Sequence, residues 1–248
     1  MTDKDLPFYR IGYGNKFSFA ADEEKKYKEL RKQYGPKWRY WDYEKDPIVT
    51  IENELGYRSS TVYPTDNYFL HLGCSNTYGS YLHEHHRASN LIAEYTRTPV
   101  INLGIPGGGG NIIHMNVQKL MTSKYPKPKA IFVQWPKVYR MTFPAFHGKR
   151  KIIRANQKVQ DEQRLFESLL RYDGTFEILA QHSYDGVNNF NIPVINYAVD
   201  PETASFYKKI YNDKIHEVVR IDKARDDMHC GIETNKIIAD YILGQLNV

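Results

Sequence analysis

Two side chains capable of nucleophilic attack stand next to each other in the stretch "YFLHLGCSNTYGSYL", residues 68–82. They are Cys74 and Ser75. An apolar run ending in Gly73 precedes them and a polar stretch follows, which is the pattern of a strand that turns sharply into a helix. The N-terminus of a helix favours developing negative charge, as attack on a carbonyl requires. An ordinary serine N-cap has the same pattern, so the stretch alone leaves both residues open.

A second segment, "NLGIPGGGGN" at 102–111, is rich in glycine. Glycines let the backbone approach a ligand closely and leave N–H groups free to bind an anion. One use of such groups is an oxyanion hole, in which a donor contributes about 3–4 kcal/mol of transition-state stabilisation. No Gly-Lys-Ser/Thr follows, so the segment is not a phosphate-binding P-loop. A flexible glycine turn is the alternative.

A candidate base with its own orienting group lies near the end of the sequence, in "ARDDMHCG" at 224–231. His229 could accept a proton from a nucleophile, and Asp226, three residues earlier, could orient its imidazole. Asp227 is adjacent, so spacing alone does not decide between the two acids, and a plain surface turn would show the same pattern. Taken together, the three segments supply a nucleophile, a base with its orienter and an anion site.

Elements that could bring these segments together alternate along the chain. Short apolar runs predict strands, at 67–73, 99–104, 129–136, 192–199 and 217–222. Helical spacing predicts helices, at 80–98, 111–125, 156–172, 201–211 and 231–246. This alternation favours an α/β protein with a doubly wound, mostly parallel sheet and helices on both faces. Since the carboxyl ends of parallel strands share one edge, we expect the three segments to meet there.

The first 60 residues have a different pattern, which we interpret as an N-terminal extension (1–60) packed on a main domain (61–248). Within it, "ADEEKKYKELRKQYG" (21–35) predicts a helix that stops before Pro36. The N-terminus lacks the apolar core of a secretory signal, and no apolar run approaches the roughly 18 residues that span a bilayer. We therefore expect a protein that is cytoplasmic, or at least without a Sec signal, and that does not insert into a membrane.

Positive charge is concentrated in one region of a chain whose net charge is +5. Residues 119–171 contain thirteen Lys or Arg against three Asp or Glu. Such a segment could meet phosphate or an acidic glycan, or form a solvated face. No nucleic-acid motif accompanies it, so we expect no nucleic-acid partner.

Other polar clusters favour plainer interpretations. In "HEHH" (83–86), His83 and His86 are the only pair that would share a helix face, and the H-E-x-x-H spacing of zinc proteases is missing. We interpret this segment as a polar helix face and expect no metal. His71, inside the first strand, is predicted to be a core histidine. Cys230 is predicted to pack in the interior.

The order of the three segments resembles the sequence blocks of the SGNH/GDSL hydrolases. "GCSNTYG" resembles their first block, Gly-Asp-Ser, with Cys74 in place of the aspartate. "NLGIPGGG" resembles the second block, and "DDMHCGIETNKIIADYI" resembles the last, in which Asp-x-x-His precedes a glycine and a helix. The likeness covers roughly residues 61–248.

This resemblance implies a flavodoxin-like SGNH hydrolase fold and an esterase that acts without a cofactor. It assigns Ser75, His229 and Asp226 to a triad, and the N–H groups of Ser75 and Gly107 to an oxyanion hole. It also favours Ser75 over Cys74, whose side chain should point back into the supporting structure. The implied substrate is a small-molecule or glycan ester with a short acyl group.

The third block departs from the family pattern, in which a strand ends in Gly-x-Asn-Asp and the Asn completes the oxyanion hole. The matching segment here, "IFVQWPKVYR", contains no Asn. Gln134 has suitable chemistry to replace it, while Asn76 and Trp135 are candidate substrate-binding residues. Loss of one donor lowers the rate by about 10²–10³-fold. Two alternatives therefore remain, which are a binding or assembly module without turnover and an O-acyltransferase that uses the same triad.

Overall fold

A computed structural model of the chain describes residues 6–11, 17–19, 32, 48–60, 63–146, 149–154, 174–224, 226 and 228–247. The strands are β1 (Phe17–Phe19), β2 (Val49–Ile51), β3 (Phe69–Gly73), β4 (Val100–Gly104), β5 (Ile131–Gln134), β6 (Arg140–Phe146), β7 (Lys149–Arg154), β8 (Val194–Ala198) and β9 (His216–Glu217). The α-helices are α1 (Ser75–Tyr78), α2 (Ala88–Thr96), α3 (Gly110–Thr122), α4 (Thr175–Asn188), α5 (Pro201–Tyr211) and α6 (Ile232–Gln245). Within these ranges, no helix has the length and apolar character needed to cross a bilayer.

Five parallel strands form the central sheet, in the order β4-β3-β5-β8-β9. The chain leaves β3 for β4 on one side and returns to β5 on the other side of β3. Because both crossovers are right-handed, their helices lie on opposite faces of the sheet, and a crevice opens at the carboxyl ends of β3 and β5. The predicted doubly wound parallel α/β architecture is confirmed.

Burial on both faces explains why the strands are continuous apolar runs. All five residues of β3 are buried. Phe69 packs with helices α2 and α6 on one face, while Leu70 and Leu72 belong to the larger core that includes α3 and α4 on the other. The alternation of successive side chains across the sheet produces this division.

The N-terminal segments contribute to the larger core. Leu6, Phe8, Leu55 and Tyr57 are buried within it. A hydrogen bond of 2.9 Å from the Tyr9 N–H to Asn116 Oδ1 joins this region to α3. The division at residue 60 stays a prediction, and the predicted helix at 21–35 lies outside the described residues.

Two predicted elements are wrong in extent. The strand predicted at 217–222 is β9, only two residues long, because its partner β8 ends at Ala198. The helix predicted at 80–98 begins only at Ala88. Before it, the carbonyl groups of Gly79 and Leu82 accept hydrogen bonds from the Arg58 side chain, so this stretch forms a loop and a 3₁₀ turn.

The sequence pattern does not predict helix α4 or the strands β1, β2, β6 and β7. Helix α4 buries Phe176, Ala180 and Tyr184 at helical spacing, which is a signal the sequence does contain. Strands β6 and β7 form an antiparallel hairpin beyond β5. The helix predicted at 156–172 lies outside the described residues.

Close packing of α1 against the sheet depends on glycine at position 104. A Cβ at this position would lie 2.1 Å from the Tyr78 backbone nitrogen. We expect Gly104→Ala to lower the free energy of unfolding by about 1–3 kcal/mol or more, since α1 would have to move. Urea unfolding followed by circular dichroism measures this loss.

Gly244 in α6 is the matched control, because an added Cβ there would meet no atom within 4 Å. Gly244→Ala should raise stability by about 0.5–1 kcal/mol, as helix propensity predicts. Equal effects of the two substitutions would contradict the role given to Gly104.

Candidate active site

Ser75 is the first residue of α1 and lies directly beyond the carboxyl end of β3. It is 9% exposed, compared with 4% for Cys74. Cys74, the residue before it, is buried, and its Sγ lies 3.6 Å from Gln134 Oε1. The cysteine side chain therefore points back into the protein, towards Gln134.

Gln134 supports the turn that carries Ser75. It is 1% exposed, and its Oε1 accepts hydrogen bonds from the Thr77 N–H (3.1 Å) and the Thr77 hydroxyl (2.7 Å). These bonds satisfy a backbone donor at the first turn of α1 that has no partner within the helix. Gln134 Oε1 therefore supports the serine turn, and the oxyanion-hole role of its amide N–H group stays a prediction.

Trp135 does not line the site. Its side chain is completely buried, its Nε1 donates a 2.9 Å hydrogen bond to Asn196 Oδ1, and its ring packs against Tyr184 and Tyr207. A side chain with no exposed surface cannot contact a substrate, so the prediction of a binding role is wrong. Trp135 fills the core beneath the site.

Asp226 and His229 form a tightly hydrogen-bonded pair. The Nδ1 of His229 lies 2.5 Å from Asp226 Oδ2, and Asp226 Oδ1 accepts the N–H groups of Met228 and His229 at 3.1 Å each. Burial of the carboxyl would raise the pKa of Asp226, but the hydrogen bond and charge of His229 and the two N–H groups hold it below its ordinary value. The lowered pKa keeps the Asp226 carboxylate ionised beside His229. Asp227 lies outside the described residues, and the choice of Asp226 as the orienting acid stays a prediction.

One hydrogen bond joins the loop of His229 to the turn of Ser75. Asn76 Oδ1 accepts the Cys230 N–H at 2.9 Å. Because Asn76 follows Ser75 and Cys230 follows His229, this bond brings the candidate nucleophile and base together across the crevice. The side-chain oxygen of Asn76, predicted to bind substrate, is instead used to connect these two segments.

The Ser75 hydroxyl is not hydrogen-bonded to His229 in this conformation. Among the described residues, its recorded contact is with Cys74 Sγ at 4.0 Å. Catalytic hydrogen bonds are often long in unliganded enzymes and tighten when substrate binds. Rotation of the serine side chain about its Cα–Cβ bond is the smallest motion that could turn the hydroxyl towards the imidazole.

The glycine segment lies beside the serine turn and carries a free donor. The Ile105 N–H donates to the Gly73 carbonyl at 3.0 Å, and the Gly108 N–H folds back to the Ile105 carbonyl at 2.7 Å. Gly107 between them has a φ of +75°, which glycine adopts readily. Within the part of the chain that the structure describes, the N–H groups of Gly107 and Ser75 have no hydrogen-bond partner. Both could therefore donate to an oxyanion.

The histidines outside the candidate site show no arrangement that would bind a metal ion among the described residues. His71 is buried as predicted, its Nε2 lies 2.8 Å from the Tyr197 hydroxyl, and burial with the charge of Arg87 lowers its pKa to about 3. His83 precedes a 3₁₀ turn and His86 is the last residue of that turn, so the two do not share the face of an α-helix. Over the described ranges, no group of three or more His, Cys, Asp or Glu could hold a metal ion.

Fold and site together define a doubly wound α/β protein whose serine, histidine and aspartate gather at the carboxyl edge of the sheet. No protein-family model matches the chain, and no curated protein matches it. A comparison with solved structures does find similar proteins, among them an acetyl xylan esterase and a member of the lipolytic G-D-S-L family.

Three of these structures illustrate the likeness. An acetyl xylan esterase from the rumen bacterium Butyrivibrio proteoclasticus is 13% identical with a TM-score of 0.39, over 82% of this chain and 67% of that one. A lipolytic G-D-S-L family member from Veillonella parvula is 12% identical with a TM-score of 0.36, over 71% and 96%. A family 2 carbohydrate esterase from Myceliophthora fergusii is 11% identical with a TM-score of 0.42, over 82% and 72%. At such values, chemistry has to be inferred from the residues of this chain.

The buried carboxylate of Asp226 should make stability depend on pH. Because its pKa is lowered in the folded state, its contribution is present above the pKa of an unfolded aspartate and is lost as pH falls through the folded value. We expect Asp226→Asn to lower the free energy of unfolding by roughly 1–3 kcal/mol at pH 7, and by less at pH 3. Chemical unfolding at both pH values measures the difference.

The control is Asp240→Asn, because Asp240 is exposed on α6. That substitution should change stability by about 0.5 kcal/mol or less at either pH. If Asp226→Asn behaved like this control, the hydrogen bonds described here would not stabilise the fold.

Proposed function

We propose that the protein is a serine ester hydrolase of the SGNH/GDSL type, in which Ser75 is the nucleophile, His229 the base and Asp226 the orienting acid. The hydrogen bond between Asn76 Oδ1 and the Cys230 N–H carries this proposal, because it joins the serine turn directly to the histidine loop. The free N–H groups of Ser75 and Gly107 support it by supplying an anion site. No step requires a cofactor.

The proposed reaction follows from the hydrogen bonds of the site. Asp226 Oδ2 holds the proton on His229 Nδ1, which leaves Nε2 as the proton acceptor. Ser75 Oγ bonds to the ester carbonyl carbon and gives its proton to Nε2, while the N–H groups of Ser75 and Gly107 bind the developing oxyanion. The tetrahedral intermediate collapses, and the alcohol leaves with the proton from Nε2. A water molecule then attacks the carbonyl carbon of the acyl-enzyme and gives its proton to Nε2. The bond to Ser75 Oγ breaks, Oγ takes the proton back from Nε2, and the carboxylic acid is released.

A fluorophosphonate probe and a chromogenic acetyl ester test this proposal. We expect the probe to label Ser75 in the wild-type protein, and Ser75→Ala to lower kcat by about 10³-fold or more. Cys74→Ala is the control, because the thiol is buried and points towards Gln134. The Cys74→Ala variant should still react with the probe and retain most of the activity.

The opposite pattern, with activity that survives Ser75→Ala but is lost in Cys74→Ala, would make the cysteine the nucleophile. Folded protein without Ser75 labelling, and without activity across acyl lengths, would establish the binding-module alternative.

A basic hairpin next to the site suggests the class of ester. Strands β6 (Arg140–Phe146) and β7 (Lys149–Arg154) together contain five Lys or Arg and no acidic residue. The hairpin is anchored to the glycine segment, because the Gly109 N–H donates to Thr142 Oγ1 at 2.8 Å. Asn111, at the start of α3, bonds both the N–H and the carbonyl of Thr142. These bonds tie the hairpin to the glycine segment at Thr142, which supports a role for its basic residues near the reacting ester.

We infer that the substrate is an O-acyl ester of an anionic glycan, whose acidic groups would meet the hairpin while the acyl group reaches Ser75. Such electrostatic attraction raises the rate at which enzyme and substrate associate, and it weakens as the ionic strength rises. A small neutral ester would react at the same serine without using the hairpin.

Charge removal tests the inference. We expect the triple substitution Lys149→Gln, Arg150→Gln and Lys151→Gln to lower kcat/KM on an O-acetylated polyuronate by about 10-fold at low salt, with little change on 4-nitrophenyl acetate. Added salt should lower the wild-type kcat/KM on the polyuronate and remove most of the difference between the proteins.

The matched control removes the same charge far from the site. Lys124, Lys129 and Lys209 are exposed and lie towards the opposite edge of the sheet. If their replacement by Gln had the same effect, net charge and not the hairpin would explain it. Equal activity on O-acetylated xylan and polyuronate at low salt would overturn the anionic substrate class while leaving the esterase proposal intact.

A further inference from the structure

The loop of residues 79–82, which follows α1, has an unusual backbone conformation. Tyr81 has a φ of +61°, in the left-handed region. For a residue with a Cβ this conformation costs about 1–2 kcal/mol. Such conformations persist where the surrounding structure enforces them, and they occur often at functional sites.

A buried arginine enforces the conformation. The guanidinium of Arg58 is buried and donates hydrogen bonds to the carbonyl groups of Gly79 and Leu82, which lie on either side of Tyr81. A second buried arginine, Arg87, donates to the Arg58 carbonyl and to Glu84 Oε1, at 2.5 Å each. The cost of breaking hydrogen bonds to a buried charge therefore opposes relaxation of the loop.

The loop places the ring of Tyr81 against His229. The two ring centroids are 5.8 Å apart and the ring planes are inclined by 25°, which is a stacked arrangement. Asp226 holds the same imidazole at its Nδ1 edge. The hydrogen bond to Asp226 restricts movement of the imidazole within its own plane, and the stacked Tyr81 ring covers one of its faces.

We propose that Tyr81 is a positioning residue for His229, kept in place by Arg58. The aromatic ring limits rotation of the imidazole, as a base that must accept the Ser75 proton at Nε2 requires. The face of a tyrosine ring also attracts a cation, so the contact favours the imidazolium that forms during proton transfer. This inference rests on the proposed function, in which His229 is the base.

Substitution of Tyr81 separates the ring from the hydroxyl. Tyr81→Phe keeps the stacked ring and should retain kcat within about 2-fold, whereas Tyr81→Leu should lower kcat by about 10- to 100-fold with little change in KM. Tyr95, exposed on α2, is the control, and Tyr95→Leu should leave both constants unchanged. Thermal unfolding of each variant shows whether the fold is intact.

A second measurement does not require turnover. Diethyl pyrocarbonate modifies accessible imidazoles, and mass spectrometry of the His229 peptide gives the rate. We expect Tyr81→Leu to raise this rate several-fold, because one face of the imidazole is uncovered, and Tyr81→Phe to leave it unchanged. The rate is informative even if the protein has no esterase activity.

Several results would overturn the positioning role. A raised KM with unchanged kcat would make Tyr81 a substrate contact. Equal losses of kcat in the Phe and Leu variants would assign the effect to the hydroxyl. An unchanged modification rate in Tyr81→Leu would show that the ring does not restrain His229. A wild-type protein without Ser75 labelling would contradict the proposed function, and the modification rates would still decide the role of Tyr81.

Discussion

The site depends on how closely α1 lies against the sheet. A Cβ on Gly73 would lie 2.1 Å from Thr77 Oγ1, and a Cβ on Gly104 would lie 2.1 Å from the Tyr78 nitrogen. Without side chains at these positions, one turn of helix fits directly over the ends of β3 and β4. This contact sets the height of Ser75 at the sheet edge, and it also brings Asn76 within reach of the histidine loop.

Buried amides hold the short helix where the close packing puts it. Asn102 Nδ2 donates to the Thr77 carbonyl at 2.7 Å, and its Oδ1 accepts the Gly104 N–H at 2.8 Å. Gln134 binds the Thr77 N–H from the neighbouring strand. A helix of four residues makes almost no hydrogen bonds of its own, so side chains from the two flanking strands supply the partners that its backbone lacks. The sheet therefore determines the orientation of the serine.

Much of the site could be predicted from sequence because its residues follow strands in order. Parallel strands bring such residues to one edge whatever the details of packing, and the hydrogen bond from the Cys230 N–H to Asn76 Oδ1 joins the serine turn to the histidine loop there. How deeply each side chain is buried beneath that edge could not be predicted in this way. Gln134 is the last residue of β5 and Trp135 is the next residue, yet Gln134 contacts α1 while Trp135 packs between α4 and α5.

Distant contacts account for the other differences. The helix predicted from residue 80 gives way to a loop because Arg58, more than twenty positions earlier, binds the carbonyl groups that the helix would use. No local pattern reveals that contact. Similarly, β9 is short because its partner β8 ends at Ala198. The hairpin of β6 and β7 is held by the hydrogen bond that the Gly109 N–H, in the glycine segment, donates to Thr142 Oγ1.

The two departures from the SGNH/GDSL sequence blocks are explained by one contact. In the blocks that the sequence resembles, Cys74 stands at the position of an aspartate, and Gln134 ends the strand that should be followed by an asparagine. The Cys74 Sγ and the Gln134 Oε1 lie 3.6 Å apart. Gln134 Oε1 already accepts two hydrogen bonds from Thr77 and cannot turn away without losing them. A carboxylate at position 74 would therefore face a carbonyl oxygen, with two acceptors opposed in a buried space. A thiol avoids that repulsion and can donate weakly to the same oxygen, so each departure makes the other acceptable.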